Sequence, residues 1–143
     1  MNTKSTSAVL CFAFLCLTWP GVAFADPIKI ASPHGTATVV VDQSGRRDMI
    51  YIRSAAGSKR LFYEDIDSLK PAIAKAYNLS VSEIGKIVLP TFVHANWLSD
   101  AQAEITCETG ATYGKNGDDV EFKFTALVNT NGNVSNIRIT KEQ

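Results

Sequence analysis

The side chains best suited to chemistry are one thiol and two imidazoles. Cys107 and His94 stand in separate segments with β-strand character, so a thiolate nucleophile with an imidazole base is the enzymatic arrangement open to this chain. The spacing singles out no third side chain that would orient the base. Cys107 also alternates with Ala103 and Ile105, which predicts a buried thiol that behaves as a small hydrophobe. We expect no catalytic residues, with a small thiol-dependent hydrolase that uses Cys107 and His94 as the alternative.

Metal and nucleotide chemistry have little support in the sequence. A catalytic zinc site takes about three protein ligands, but His34 and His94 lie far apart and neither belongs to a His-x-x-x-His pattern. The segment 110–116 differs from a phosphate-binding loop, which has Ser or Thr after its lysine, because Asn116 follows Lys115. We predict neither a metal nor a cofactor. The formal net charge of +0 excludes the strong positive field that nonspecific nucleic-acid binding requires.

A basic stretch in the first half of the chain gives the stronger functional signal. Its cations are Arg46, Arg47, Arg53, Lys59 and Arg60. Ser44-Gly45 is a turn dipeptide between two predicted strands, which would place Arg46 and Arg47 at the tip of a short, stiff hairpin. Guanidinium groups hold carboxylates through paired hydrogen bonds. We predict a partner-binding site in which Ser44 and Gly45 shape the turn and the two arginines contact a protein or an anionic envelope component.

The N-terminal segment indicates where the protein works. Lys4 precedes an uncharged apolar run at 8–19, Pro20 and Gly21 end that run, and the small-x-small pattern of 23–25 follows. This order of features is typical of a cleavable secretory signal peptide over 1–25, and the run is shorter than the roughly 20 residues that span a bilayer. We predict a single domain over 26–143 that is periplasmic or secreted, with no membrane span after cleavage and with Cys107 as its one cysteine.

The predicted loop carries a family resemblance. Ser44-Gly45-Arg46 between two strands of a small exported β-rich domain resembles the Ser-Gly-Arg loop of bacterial periplasmic lysozyme inhibitors. In that family the loop enters the carboxylate-lined active-site cleft of the enzyme, so the resemblance implies an inhibitor whose Arg46 meets carboxylates. The family usually has an aromatic residue soon after the arginine, whereas here Arg47 and Asp48 come first and Tyr51 lies further on.

Two hairpins are the clearest elements of the domain. The first joins 36–42 to 47–53 and is predicted to set Val39 opposite Ile50 and Ala37 opposite Ile52, with one face apolar. The second joins the alternating segment 120–128 to 134–140 through Asn131-Gly132, a strong signal for a two-residue turn. It sets Phe124 opposite Ile139 and Ala126 opposite Ile137.

The remaining elements complete the predicted fold class. Helical spacing over 69–77 and a capping box at 80–83 predict one or two short helices. Further strands are predicted at 59–63, 91–97 and 102–108, and the Gly- and Asn-rich segment 109–119 is predicted to be a mobile loop. We expect an α+β domain, in which an antiparallel sheet built from two hairpins plus additional strands carries the helices on one face.

These observations favour a non-enzymatic exported binding module, such as an inhibitor or an immunity-type protein. The absence of converging reactive residues and the basic hairpin tip at Arg46 and Arg47 are its basis. A structural subunit of an envelope assembly is a further alternative, in which an edge strand such as 59–63 would be the pairing surface.

Overall fold

The structure, a computed structural model, describes residues 25–142, so the predicted signal peptide lies outside the described residues except for Ala25. The described strands form two antiparallel sheets. The N-terminal sheet has the order β1-β2-β3-β4, with β1 at Ile28–Ala31, β2 at Thr38–Asp42, β3 at Met49–Ser54 and β4 at Gly57–Arg60. The C-terminal sheet contains β5 at Ile84–Ile87, β6 at Thr91–Ser99, β7 at Gln102–Tyr113, β8 at Asp118–Asn129 and β9 at Val134–Lys141.

The long strand β7 organises the C-terminal sheet. One of its edges pairs with β8, which in turn pairs with β9. Its other edge pairs with β6 along the first half and with β5 near Tyr113. The segment 109–113 is therefore strand, and so are residues 118 and 119 at the start of β8, so the prediction of a loop over 109–119 is wrong except for the turn at 114–117. Gly110 is unfavourable in a strand, but Thr109, Thr112 and Tyr113 favour one, and β5 and β8 supply backbone hydrogen bonds on both sides.

One helix connects the two sheets. A 3₁₀ turn at Ile66–Leu69 leads into α1 at Lys70–Tyr77, with Pro71 in the first turn, where proline is tolerated. The predicted capping box at 80–83 is present, but it begins only the 3₁₀ turn Val81–Glu83, which is followed at once by β5. The fold is α+β and mostly antiparallel sheet, and the second predicted helix is reduced to a single turn.

The core lies between the two sheets and α1. Alternate residues of each sheet are buried there because the strand pleat turns every second side chain to the same face. The N-terminal sheet contributes Val39, Val41, Ile50 and Ile52, the helical region contributes Leu69, Ile73 and Ala74, and β7 and β8 contribute Ala103, Ile105, Cys107, Phe122, Phe124, Ala126 and Val128. The two predicted hairpins thus belong to opposite layers of the core, where a single sheet was expected.

The first hairpin has a register two residues away from the predicted one. Val39 lies opposite Ile52 and Val41 lies opposite Ile50, so the predicted pairs of Val39 with Ile50 and Ala37 with Ile52 are wrong. A shift of two residues keeps every side chain on its face, which explains why the predicted apolar face is still the buried one.

The cause of this shift lies at the ends of the two strands. The last pair is Asp42 with Met49, and the Asp42 Oδ1 atom accepts a hydrogen bond of 2.9 Å from the Ser44 N–H. This local Asx-type turn offers the backbone an alternative to the ladder. Residues 43–48 therefore form a loop between β2 and β3, and Ser44-Gly45 is not a two-residue hairpin turn.

The second hairpin confirms the predicted register away from its turn. Phe124 lies opposite Ile139, and a bulge nearer the turn then moves the pairing by one residue. The turn itself differs from the prediction, because the Gly132 N–H donates to the Asn129 carbonyl (2.9 Å) and Gly132 adopts a φ of 78°. Residues 130–132 thus form a three-residue loop with a left-handed glycine. Asn136, with a φ of 46°, lies in the bulge.

A close approach of β5 to β7 requires glycine at position 85, which gives a testable prediction. A Cβ atom on Gly85 would lie 2.3 Å from Thr112 Oγ1, and that hydroxyl accepts a hydrogen bond from the Lys86 N–H (2.9 Å). We expect Gly85→Ala to lower the free energy of unfolding by about 1–3 kcal/mol, as overpacking does. Urea denaturation followed by fluorescence measures this loss.

The matched control is Gly45→Ala, where the nearest heavy atom to the added Cβ would be 3.8 Å away. We expect this variant to change the free energy of unfolding by less than about 0.5 kcal/mol, as surface substitutions do. Equal losses in the two variants would contradict the close contact between β5 and β7.

Candidate functional site

The 43–48 loop carries all four predicted partner-binding residues at the surface. Ser44, Gly45, Arg46 and Arg47 are consecutive exposed residues between β2 and β3. Within residues 25–142, neither Arg46 nor Arg47 forms an ion pair with a carboxylate. The guanidinium groups therefore keep their hydrogen-bonding capacity for a group outside the described chain.

Side-chain hydrogen bonds hold both ends of the loop. Asp42 accepts from the Ser44 N–H at one end, and interactions with the Ser44 side chain and N–H lower the pKa of Asp42. At the other end, Asp48 Oδ2 accepts from the Phe92 N–H of β6 (2.8 Å) and from the Gln43 amide (3.4 Å). These contacts restrict the loop before it binds, which reduces the entropy that ordering would otherwise cost.

Arg47 separates two cavities with opposite charge. The cationic cavity, of about 330 Å³, is lined by Arg47, Tyr63, Lys86, Ile87, Val88 and Leu89. The acidic cavity, of about 270 Å³, shares Arg47, Val88 and Leu89 with it and adds Glu108, Glu121 and Glu142 among its lining residues. Arg47 thus stands at the border between a surface that attracts anions and one that attracts cations.

A lysine pairs with two of the three glutamates that line the acidic cavity. Lys123 Nζ lies 3.0 Å from Glu108 Oε1 and 3.7 Å from Glu142 Oε1. The hydrogen bond and charge of Glu108, with a smaller contribution from Glu142, raise the pKa of Lys123. Both glutamates thus have a cationic partner other than Arg47, which agrees with Arg47 forming no ion pair among the described residues.

Tyr63 reaches the cationic cavity through an unusual backbone conformation. The preceding Phe62 has a φ of 54° and a fully buried ring, which packs edge-to-face on Phe124 at a centroid distance of 5.1 Å. A left-handed conformation costs a bulky residue about 1–3 kcal/mol, and burial of a Phe ring contributes a similar 1.5–3 kcal/mol. The core therefore holds the chain in a conformation that leaves Tyr63 48% exposed.

The thiol and imidazole of the alternative enzyme lie on opposite faces of the sheet. Cys107 is fully buried, and desolvation, with a smaller contribution from the charge of Asp48, raises the pKa of its thiol. His94 lies opposite Thr106, with Nε2 3.4 Å from Thr106 Oγ1. Since Thr106 and Cys107 are consecutive in β7, their side chains point to opposite faces. The structure does not bring Cys107 and His94 together.

The other histidine joins the two sheets. The His34 backbone N–H donates a hydrogen bond to Asp100 Oδ1 (2.9 Å), and the His34 ring Nδ1 is hydrogen-bonded to Asp100 Oδ2. This contact connects the turn after β1 to the β6–β7 turn. Among residues 25–142, no group of three or more His, Cys, Asp and Glu side chains is arranged to hold a metal ion.

The Asp100 contact predicts a pH dependence of stability. The hydrogen bonds from the His34 backbone N–H and side chain lower the pKa of Asp100 from 3.8 to about 2. Because the folded pKa is the lower one, the stabilisation is complete above about pH 4 and is lost as the pH falls towards 2. We expect the melting temperature of the wild type to fall more steeply over this window than that of Asp100→Asn. Parallel curves for the two proteins would contradict the contact.

Two residues beside the loop could not be predicted from the sequence. Lys86 follows the capping box in a segment expected to be helical, and Tyr63 closes a predicted strand. Their places beside Arg47 depend on β5 and on the conformation of Phe62. Neither feature has a local sequence signature.

Comparisons with known proteins assign neither a family nor a function to the chain. No protein-family model, curated protein or solved structure matches the chain significantly. In the described part of the chain, no helix combines the length and the apolar character that crossing a membrane requires.

Proposed function

We propose that the protein is an exported, non-enzymatic binding module that acts on another protein through the 43–48 loop. The observation that carries this proposal is the exposed pair Arg46 and Arg47, neither of which forms an ion pair with a carboxylate of residues 25–142. Two neighbouring guanidinium groups on a tethered loop suit a partner that presents carboxylates in a cleft or on a protruding segment. The order of features in residues 1–25 supports export to the periplasm or the medium.

An inhibitor or immunity-type role agrees with this arrangement. Such a protein must reach a site on its partner and keep its own conformation there, and the hydrogen bonds from Ser44 and Phe92 hold the loop at both ends. Exposed arginines also steer association with an acidic surface, an effect that weakens as salt is added. We expect the partner surface to be acidic and the complex to be sensitive to salt.

Capture of the partner from cell extract tests this proposal. A tagged wild-type protein is expected to retain a partner from an envelope extract of its own host, and Arg46→Ala/Arg47→Ala is expected to retain little of it. Each lost charge-assisted hydrogen bond weakens binding by roughly tenfold or more. Quantitative mass spectrometry of the retained proteins measures the difference.

The control for this experiment is Lys29→Ala/Arg53→Ala. It removes the same charge from exposed strand positions of the N-terminal sheet. We expect this variant to capture the partner as the wild type does. Equal capture by all three proteins at low and moderate salt would exclude the 43–48 loop from the binding surface.

A further inference from the structure

We propose that the cationic cavity beside the 43–48 loop binds a carboxylate carried on an apolar stem. This inference rests on the proposed function, because the carboxylate would belong to the partner that the loop engages. It adds Lys86 and Tyr63 to the binding surface and specifies the chemical group that the partner presents.

The charge of the cavity selects an anion. Arg47 and Lys86 line it together with no Asp or Glu side chain, and neither cation forms an ion pair within residues 25–142. The Arg60 guanidinium, 3.9 Å from the centre of the Tyr63 ring, lines a neighbouring cavity together with Glu64 and Asp65 and does not line this one. A carboxylate entering here gains charge-assisted hydrogen bonds and meets no carboxylate lining the cavity.

The walls of the same cavity select an apolar stem. Ile87, Val88, Leu89 and the ring of Tyr63 form them. The volume of about 330 Å³ is at the lower end of ligand pockets and is large enough to admit a side chain together with its carboxylate. A glutamate side chain and a peptide C-terminus with an apolar last residue both combine a carboxylate with such a stem.

The fold builds this cavity on fixed elements. A register irregularity in β5, between Ile84 and Ile87, leaves Gly85 and Lys86 exposed between two buried residues. The Lys86 N–H is held by Thr112 Oγ1, and the buried Phe62 ring positions Tyr63. β-Bulges often re-aim side chains next to functional sites, and this one presents Lys86 towards the cavity beside Arg47.

Titration with small carboxylates tests the cavity directly. The ¹⁵N-labelled protein is titrated with N-acetyl-leucine, which carries a carboxylate and an apolar stem, and with N-acetyl-leucinamide, which lacks the carboxylate. We expect saturable shifts of the backbone amides of 86–89 with the acid and none with the amide. N-acetylglutamic acid 1-amide replaces the terminal carboxylate by a side-chain one. The tighter of the two acids indicates whether the partner presents a C-terminus or a glutamate.

Two variants make the result specific to Lys86. We expect Lys86→Gln to weaken binding of the preferred acid roughly tenfold, as loss of one charge-assisted hydrogen bond does. Lys75→Gln makes the same charge change on the exposed face of α1 and is expected to bind as the wild type does. Equal shifts with the acid and the amide, or unchanged affinity in Lys86→Gln, would overturn the inference.

Different experimental results would overturn the cavity inference and the proposed function. Partner capture that is lost in Arg46→Ala/Arg47→Ala but complete in Lys86→Gln overturns the cavity inference and leaves the loop as the binding site. Carboxylate binding that depends on Lys86, together with capture that does not depend on Arg46 and Arg47, overturns the proposed function and leaves the cavity as a carboxylate site.

Discussion

Replacing Phe124 with alanine is expected to lower the free energy of unfolding by about 3–5 kcal/mol, the usual cost of removing a buried aromatic ring. Phe124 is 0% exposed, lies between Cys107 of β7 and Ile139 of β9, and packs edge-to-face on Phe62. Its removal opens a cavity between the two sheets and takes away a contact that holds Phe62 in its left-handed conformation. A loss of this size is a large part of the roughly 5–15 kcal/mol that stabilises a small domain.

Urea denaturation of Phe124→Ala and Thr140→Ala measures this effect against a control on the same sheet. Thr140 is exposed on β9, and we expect its replacement to change the free energy of unfolding by less than about 0.5 kcal/mol. A cost below about 1 kcal/mol for Phe124→Ala would show that the ring is not enclosed between the two sheets.

Reversing the charge of the loop is expected to have the largest effect on function. Arg46→Glu/Arg47→Glu replaces two guanidinium groups with carboxylates and so adds repulsion to the loss of hydrogen bonds. We expect the dissociation constant of the captured partner to rise by at least about a hundredfold, because charged hydrogen bonds each contribute about 1.5–3 kcal/mol. Surface plasmon resonance measures the dissociation constant and its dependence on salt.

Lys29→Glu/Arg53→Glu is the control for charge reversal. It makes the same change in net charge at strand positions of the N-terminal sheet, away from the 43–48 loop. We expect a small loss of affinity that disappears as salt screens the long-range field. An equal loss in both double variants at moderate salt would show that net charge, and not the loop, governs binding.

Part of the fold follows directly from the sequence. The alternation of β8 places Phe122, Phe124 and Ala126 in the core, and the register of Phe124 with Ile139 follows from it. Cys107 is buried for the same reason. The partition into two sheets does not follow, because the pattern of a half-buried strand is the same whether its apolar face meets a helix or another sheet.

The differences between the predicted and the observed hairpins have local physical causes. The Asp42 carboxylate accepts a hydrogen bond from the Ser44 N–H, which removes this N–H from the strand pairing and lengthens the first loop. Gly132 closes a three-residue loop, and the bulge at Asn136 then restores the register. In each hairpin the observed turn and the predicted turn are nearly equal in energy. Residue types alone cannot rank two such turns.

The candidate site could be predicted only where it is contiguous in sequence. Arg46 and Arg47 are neighbours in a segment rich in turn residues, so the sequence predicts that one loop exposes both. Lys86 and Tyr63 lie far from them in the chain and meet Arg47 only because β5 pairs with β7 and Phe62 turns the backbone. Such proximity between residues that are distant in sequence depends on the packing of the whole domain.

Site-specific photocrosslinking in living cells tests most directly whether the 43–48 loop contacts the partner. A benzoylphenylalanine residue is introduced at Ser44, in the loop, or at Thr140, on the exposed face of β9, and the cells are irradiated. We expect a crosslinked adduct of the same partner from position 44, which is lost when Arg46 and Arg47 are also replaced by glutamate, and no adduct from position 140. An adduct from position 140 with none from position 44 would contradict contact between the 43–48 loop and the partner.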